Sequence, residues 1–398
     1  MAACSGALLA ALSLGGTCAD EIQEAVAGSN RFGLDLHRAL LREGAGGNVF
    51  ISPLSVSTAL RMVLHGAGGE TLSQMQRTLG VDGIGTDALA RADLALLETL
   101  RSADPRVELA IANSVWARQG IPFQQTFLDL VRRDYGARVE AIDFSSPAAP
   151  GTINAWVREN TRGKIDSIVP DPLPRGAILY LINAVYFKGT WARRFDRGLT
   201  REAPFTLADG RRTGHPMMSQ RGEFGYLRGD RFQAVRLPYG GRRAEMVVFL
   251  PDEGAEDLFH AGLTAETWAR WMGAFGEREG TVGLPRFEIE YEKSLVDTLK
   301  GIGMEVAFGE GADFSGICSC IEGPVYISDV RHKAYVKVDE EGTEAAAVTS
   351  VMAFAESEEP EEPPFRLICD RPFFFAIVDT RTGAILFTGS ILDPRGSG

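Results

Sequence analysis

The sequence predicts an α+β fold: one mixed domain with a large sheet. Three observations carry this reading. Helical periodicity dominates the first part of the chain, in stretches such as Ile22 to Leu41. Strand-rich sequence dominates from 215 to 250, with Glu245 to Leu250 the clearest run. Between them, Ala177 to Phe187 is a long apolar run of strand type, which suits a strand buried on both faces.

Taken in order, Ile22, Val26, Phe32, Leu36 and Leu40 recur at helical spacing until Gly44-Ala45-Gly46-Gly47 breaks the pattern. Ser52-Pro53 then reads as a cap followed by a first helical residue. That helix runs to the break at Gly66-Ala67-Gly68-Gly69, and Thr71 to Leu79 reads as another. Helices are expected at 85–101, 124–136, 154–161, 264–275 and 293–302, and strands at 108–116 and 139–144. Tyr326 to Asp339 alternates at period two: Val330, His332, Ala334, Val336 and Val338 share one face, and Arg331, Lys333, Lys337 and Asp339 the other. Phe373–Val378 and Ile385–Leu392 close the chain as a hairpin around Asp379 to Gly383. No internal repeat appears, and no linker divides the chain before 356.

The 398 residues are 45% hydrophobic, enough for a substantial core, and carry a net charge of −12. That charge argues against a general affinity for nucleic acid or an anionic membrane. The chain holds 6 Lys against 35 Arg, a skew that looks like genome bias and lowers the weight of any Arg cluster. Cys4, Cys18, Cys318, Cys320 and Cys369 show neither CxxC nor a Cys/His metal spacing, so free thiols are the expectation. Residues 1–19 read as a truncated signal peptide: small apolar residues precede Asp20, but the positive start is missing. An ordinary flexible terminus is the alternative, and export to the periplasm or exterior is the expectation. No later stretch is long and apolar enough to span a membrane.

Motifs of catalysis are missing. There is no GxSxG, HExxH, P-loop or strand-borne GxGxxG, so no enzymatic activity and no cofactor or metal are expected. His37, His65, His215 and His260 have no nucleophile or ligand pattern around them. His332 differs because its strand aims it into the apolar side, where it needs hydrogen-bond partners. After that strand comes Glu340-Glu341-Gly342-Thr343-Glu344-Ala345-Ala346-Ala347-Val348-Thr349. Its small side chains allow entry into a packed place, and Gly342 is a pivot. A short surface helix is the competing reading of the same residues.

Longer motifs carry a resemblance. Asn48-Val49-Phe50-Ile51-Ser52-Pro53-Leu54-Ser55 and Asn183-Ala184-Val185-Tyr186-Phe187-Lys188-Gly189-x-Trp191 resemble the serpins, the serine protease inhibitor family. So do Phe249-Leu250-Pro251, Leu284-Pro285-Arg286-Phe287, Ala312-Asp313-Phe314-Ser315-Gly316, His332-Lys333-Ala334 and Arg371-Pro372-Phe373-Phe374-Phe375. The resemblance implies a single domain over 20–398, with three β-sheets, eight or nine helices and an exposed reactive loop at about 340–370. It also implies a suicide-substrate inhibitor. A serine protease cuts the loop, is held as an acyl-enzyme, and is trapped when the cleaved loop inserts into the main sheet. A monomer acting on a protease, without cofactor, is implied.

The resemblance assigns residues as well. Glu340 to Thr349 match the hinge. Ser52, Ser55, Asn183 and His332 match the shutter, a polar network under the opening strands. Trp191, Arg286 and Glu340 match the breach, where the hinge enters. Thr343, Ala345, Ala347 and Thr349 should point inward once inserted, with Thr343 entering first after cleavage against apolar partners. The usual spacing from Glu340 puts the reactive bond at Glu356–Ser357, with Ala355, Phe354 and Met352 as alternatives. Glu356 suits a glutamate-specific protease, and the alternatives suit chymotrypsin- or elastase-like ones. Ser357 to Pro364 is longer and more acidic than is typical, which leaves the register open. Residues 84–105 carry few basic residues, so polyanion activation is not expected. A non-inhibitory binding or chaperone protein on the same fold is the alternative function; charged, bulky or Pro residues in the hinge would mark it, and none stands at the inward positions.

Overall fold

A computed structural model describes residues 18–44, 46–101, 104–174, 176–319, 324–343 and 363–396. Residues 1–17 of the leader-like segment, Glu344 to Thr349 of the hinge, and Met352, Phe354, Ala355, Glu356 and Ser357 lie outside these. Among the described residues there are nine α-helices: α1 (Cys18–Glu43), α2 (Pro53–Leu64), α3 (Gly69–Leu79), α4 (Thr86–Arg101), α5 (Gln125–Leu130), α6 (Ala149–Asn160), α7 (Glu256–Ala261), α8 (Ala265–Met272) and α9 (Val296–Gly301). The strands are β1 (Val49–Ile51), β2 (Val107–Arg118), β3 (Arg138–Ile142), β4 (Leu179–Thr190), β5 (Arg201–Thr206), β6 (Arg212–Gly229), β7 (Phe232–Pro238), β8 (Ala244–Pro251), β9 (Gly276–Pro285), β10 (Phe287–Ser294), β11 (Ile327–Asp339), β12 (Gly342–Thr343), β13 (Phe365–Ile368), β14 (Phe373–Asp379) and β15 (Ile385–Ile391).

Local chemistry places the ends of these elements. The Ser52 hydroxyl accepts from the Ser55 amide at 3.3 Å, and Pro53 opens α2 behind it. Gly80 closes α3 in the left-handed region at φ 69°. Thr264 and Thr267 cap the start of α8 reciprocally.

The strands form two hydrogen-bonded sheets. One runs β10-β11-β12-β4-β2-β3, and the other β1-β15-β14-β8-β7-β6-β9-β13 with β5 on β6. The three sheets expected appear as two because β6 is 18 residues long and serves twice. Its first part pairs with β5 and β9, and its last residues pair with β7. The six-stranded main sheet is covered on one face by α6, where Ile153 and Val157 pack on Trp116, Tyr180 and Ile182. Its other face meets the second sheet through Val185, Phe187, Ala334 and Val336 against Phe50, Phe375 and Phe387. Helix α2 is buried along its whole length beneath the main sheet.

One expectation is corrected. Cys318 is disulfide-bonded, while Cys369 is a free, buried thiol. The sulfur paired with Cys318 is not among the described side chains. Spacing in the chain does not show which two sulfurs a fold brings together.

Candidate functional site at the seam of the main sheet

β4 and β11 are the centre of the main sheet, and their pairing is incomplete. They run parallel and pair directly from Ile327 and Leu179 up to Tyr335 and Tyr186. Above that level they part, and β12 fills the gap. Gly342 and Thr343 pair antiparallel with Asp339 and Val338 on one side and with Thr190 and Gly189 on the other. The chain reaches this position by a tight turn at Glu340-Glu341. Gly342 takes φ 148°, and a Cβ there would lie 2.1 Å from the Gly189 carbonyl oxygen, so only glycine fits.

Thr343 is fully buried, and its hydroxyl meets the Tyr239 hydroxyl at 2.8 Å. This corrects the expectation that Thr343 enters only after cleavage and against apolar partners. It stands in the sheet of the uncut chain. Tyr239, which lies on the loop following β7, meets it with a polar tip.

The turn is anchored by two carboxylates. Glu340 is only 2% exposed, and its oxygens accept from the Arg286 Nε at 2.8 and 2.9 Å and from the Thr200 hydroxyl. Burial pushes the Glu340 carboxyl up, but the bonds from Arg286 and Thr200 outweigh it and hold the group below its ordinary value. Glu341 pairs with Arg194 at 2.8 Å and Arg197 at 3.3 Å. Trp191 completes the site. Its indole donates to the Asp339 carbonyl at 2.9 Å, its amide donates to Glu341, and its ring stacks on Tyr239 at 4.3 Å.

Lower down, the four polar residues expected together are together. His332 Nδ1 and Asn183 Oδ1 are 2.5 Å apart across the directly paired strands. The Ser52 amide donates to His332 Nε2 at 3.3 Å, so Nε2 accepts and Nδ1 carries the proton. Asn183 Nδ2 donates to the Ser55 hydroxyl and to Asn113 Oδ1 at 2.5 Å. Ser52 donates to the Leu386 carbonyl at 2.6 Å. The network joins β11, β4 and β2 to α2 and β15. Burial drives the His332 ring down to about 3, so it is neutral.

Sequence reasoning missed Asn113, Tyr239, Thr200, Arg194 and Arg197. Asn113 could have been found as the polar residue among the alanines of its strand, directly across from Asn183. Arg194 and Arg197 were hidden by the general excess of arginine.

Chemically, the arrangement holds a two-residue strand between β4 and β11 through backbone pairing, ion pairs and buried hydroxyls. Among the described residues, no group of three or more His, Cys, Asp or Glu could hold a metal ion. Comparison with known proteins agrees with the motifs. A family model described as Serpin (serine protease inhibitor) matches residues 27–394. The leukocyte elastase inhibitor of Sus scrofa is 35% identical, covering 94% of this chain and 100% of its own. The crystal structure of native tengpin, a thermophilic serpin, superposes with a TM-score of 0.85 at 31% identity, over 92% of this chain and 94% of that one. Human thyroxine-binding globulin superposes with a TM-score of 0.86 at 28% identity, over 94% and 100%.

Proposed function

This chain belongs to the serpin family, and we propose that it is an inhibitory member that traps a serine protease on its cleaved reactive loop. Serpins as a family are protease inhibitors and not catalysts. The observation that carries the finer reading is β12: a two-residue strand already seated between β4 and β11, with small residues following it in the chain. Extending its register downward would bring Ala345 between Val336 and Phe187, and Ala347 between Ala334 and Val185. Thr349 would reach His332 and Asn183. None of these inward residues is charged or large, so insertion meets no bulk or charge to bury. On the outward face, Glu344 would arrive between Lys337 and Lys188, an arrangement of opposite charges on neighbouring strands.

Insertion must outrun deacylation. The network of His332, Asn183, Ser52 and Ser55 acts as the shutter, and Arg286, Glu340 and Trp191 act as the breach. Glu356–Ser357 is the proposed reactive bond, with Ala355, Phe354 and Met352 as alternatives. The target is accordingly a glutamate-specific or a chymotrypsin- or elastase-like serine protease, met outside the cell or in the periplasm by a monomer. A second reading, a binding protein on the same fold, is favoured by the likeness to a globulin named for thyroxine. The uncharged inward face of the hinge supports the first reading.

A panel of serine proteases separates the two. An inhibitor yields a complex with at least one of them that survives denaturing electrophoresis, and the mass of the released peptide identifies the bond. If every protease that cuts between 350 and 360 turns over freely, the inhibitory reading is wrong.

A further inference from the structure

The seam between β4 and β11 also carries a tie on the face opposite the shutter. Tyr186 and Tyr335 are the uppermost directly paired residues, immediately below β12. Their rings lie on the face covered by α6, with centroids 6.4 Å apart. The segment leaving α6 crosses this face. Arg162 and Gly163 take φ 53° and 73°, so the chain turns back and lays Lys164 over the seam. The Lys164 ammonium sits 6.0 Å from the Tyr186 ring centroid and 5.9 Å from that of Tyr335. Both distances allow a cation–π attraction. The same segment is fastened on either side of the seam. Arg162 pairs with Glu108 of β2 at 2.5 Å, and the Ile168 carbonyl accepts from Arg331 of β11 at 2.9 Å.

We propose that Lys164 is a positioning residue for loop insertion: a brake that bridges the two strands an inserting loop must part. The inference rests on the inhibitory reading above. A strand inserted between β4 and β11 takes their separation from about 4.8 Å to about 9.6 Å. One ammonium then cannot lie over both rings. The tie therefore stabilises the uncut sheet and is lost in the inserted one, which distinguishes it from a contact kept in both states. Its place at the top of the paired region puts it at the first step of opening.

The test separates insertion from protease trapping. The full chain is nicked between 344 and 362 by a metalloprotease, which forms no acyl-enzyme, and tryptophan fluorescence follows insertion by stopped flow. Lys164→Met should insert roughly three- to tenfold faster than wild type, the range that one such cation–π contact supports. Lys164→Arg and Tyr335→Phe, which keep a cation and a ring, should insert at the wild-type rate. Tyr335→Leu should match Lys164→Met. All nicked forms should melt at one temperature. Equal or slower insertion in Lys164→Met and Tyr335→Leu would overturn the brake, as would a lowered melting temperature of their nicked forms. If nicking produces neither a fluorescence change nor a rise in melting temperature in wild type, the inhibitory reading falls and the brake falls with it.

Discussion

His332 is neutral because burial penalises a charged ring and because Nε2 must stay unprotonated to accept from Ser52. Nε2 accepts from the Ser52 amide, Nδ1 donates to Asn183, and burial holds the ring down at about 3. The sign of the pH effect follows. The folded-state value lies below the ordinary 6.5, so the unfolded chain binds the extra proton first. The stability that His332 contributes is fully present above pH 6.5 and is lost as pH falls from there toward 3. Denaturant midpoints measured across that window should decline in wild type and decline less in His332→Ala. The same substitution should cost about 1–3 kcal/mol at neutral pH, because it leaves the Asn183 carbonyl and the Ser52 amide buried and unpaired. An unchanged midpoint at pH 7.5 would show that the network does not act as a unit. At the other end of the seam, Arg286 holds a nearly buried Glu340 through both Nε and Nη2 of its guanidinium. Removing the half-exposed guanidinium loses charged hydrogen bonds but leaves the Thr200 hydroxyl and lets water reach Glu340, so Arg286→Ala should destabilise the uncut chain by about 1–2 kcal/mol. It should also speed heat-induced polymer formation, which size-exclusion chromatography after mild heating would measure.

At the scale of elements, β12 decides how the hinge behaves. Thr343 occupies a fully buried place beside Tyr239, and Arg has no room or solvent there. Thr343→Arg should therefore drive Gly342 and Thr343 out of the gap between β4 and β11 and slow insertion after cleavage. A barrier raised by about 1.4 kcal/mol slows it tenfold, enough for deacylation to compete. The variant should fold, be cut at the same bond and release active protease, so that more inhibitor is consumed for each protease trapped. A ratio equal to wild type would remove Thr343 from the entry step. How far these elements could be read beforehand depended on their patterning. β11 and β4 were legible because one alternates cleanly and the other is apolar throughout. α7, only six residues long, and β5, whose exposed residues follow no period, give no such signal. The hinge was legible as a small-residue stretch, but the position of its described residues Gly342 and Thr343 was not. That position depends on the gap above Tyr186 and Tyr335, which is a property of two strands 149 residues apart. Tyr239 was invisible for the same reason, since nothing in its own neighbourhood points to Thr343.

For the whole molecule, the main sheet is weakest where the proposed insertion needs it to open. β10 and β2 flank the centre in antiparallel pairs, but β4 and β11 meet in parallel. Parallel pairs are slightly less stable per residue. A strand entering antiparallel to both, as β12 already does, replaces one parallel ladder with two antiparallel ones. In the uncut chain the residues after Thr343 are still joined to Phe365, which is held in β13 against β9 of the other sheet, and this tether opposes further entry. On the inhibitory reading proposed above, the free energy of a finished sheet stays unrealised until the loop is cut. If roughly ten more residues enter at about 1 kcal/mol of net gain per hydrogen-bonded residue, the cleaved chain is stabilised by about 10 kcal/mol. For a chain of this size that corresponds to a melting temperature higher by about 10 °C or more. Scanning calorimetry of intact protein against protein nicked between 344 and 362 measures the difference directly. Nicking an ordinary surface loop lowers or leaves unchanged the melting temperature, since it only adds freedom to the chain. A nicked form that melts at or below the intact one would mean that the main sheet gains nothing by opening, and β12 would then be a fixed edge of the fold and not the start of a moving strand.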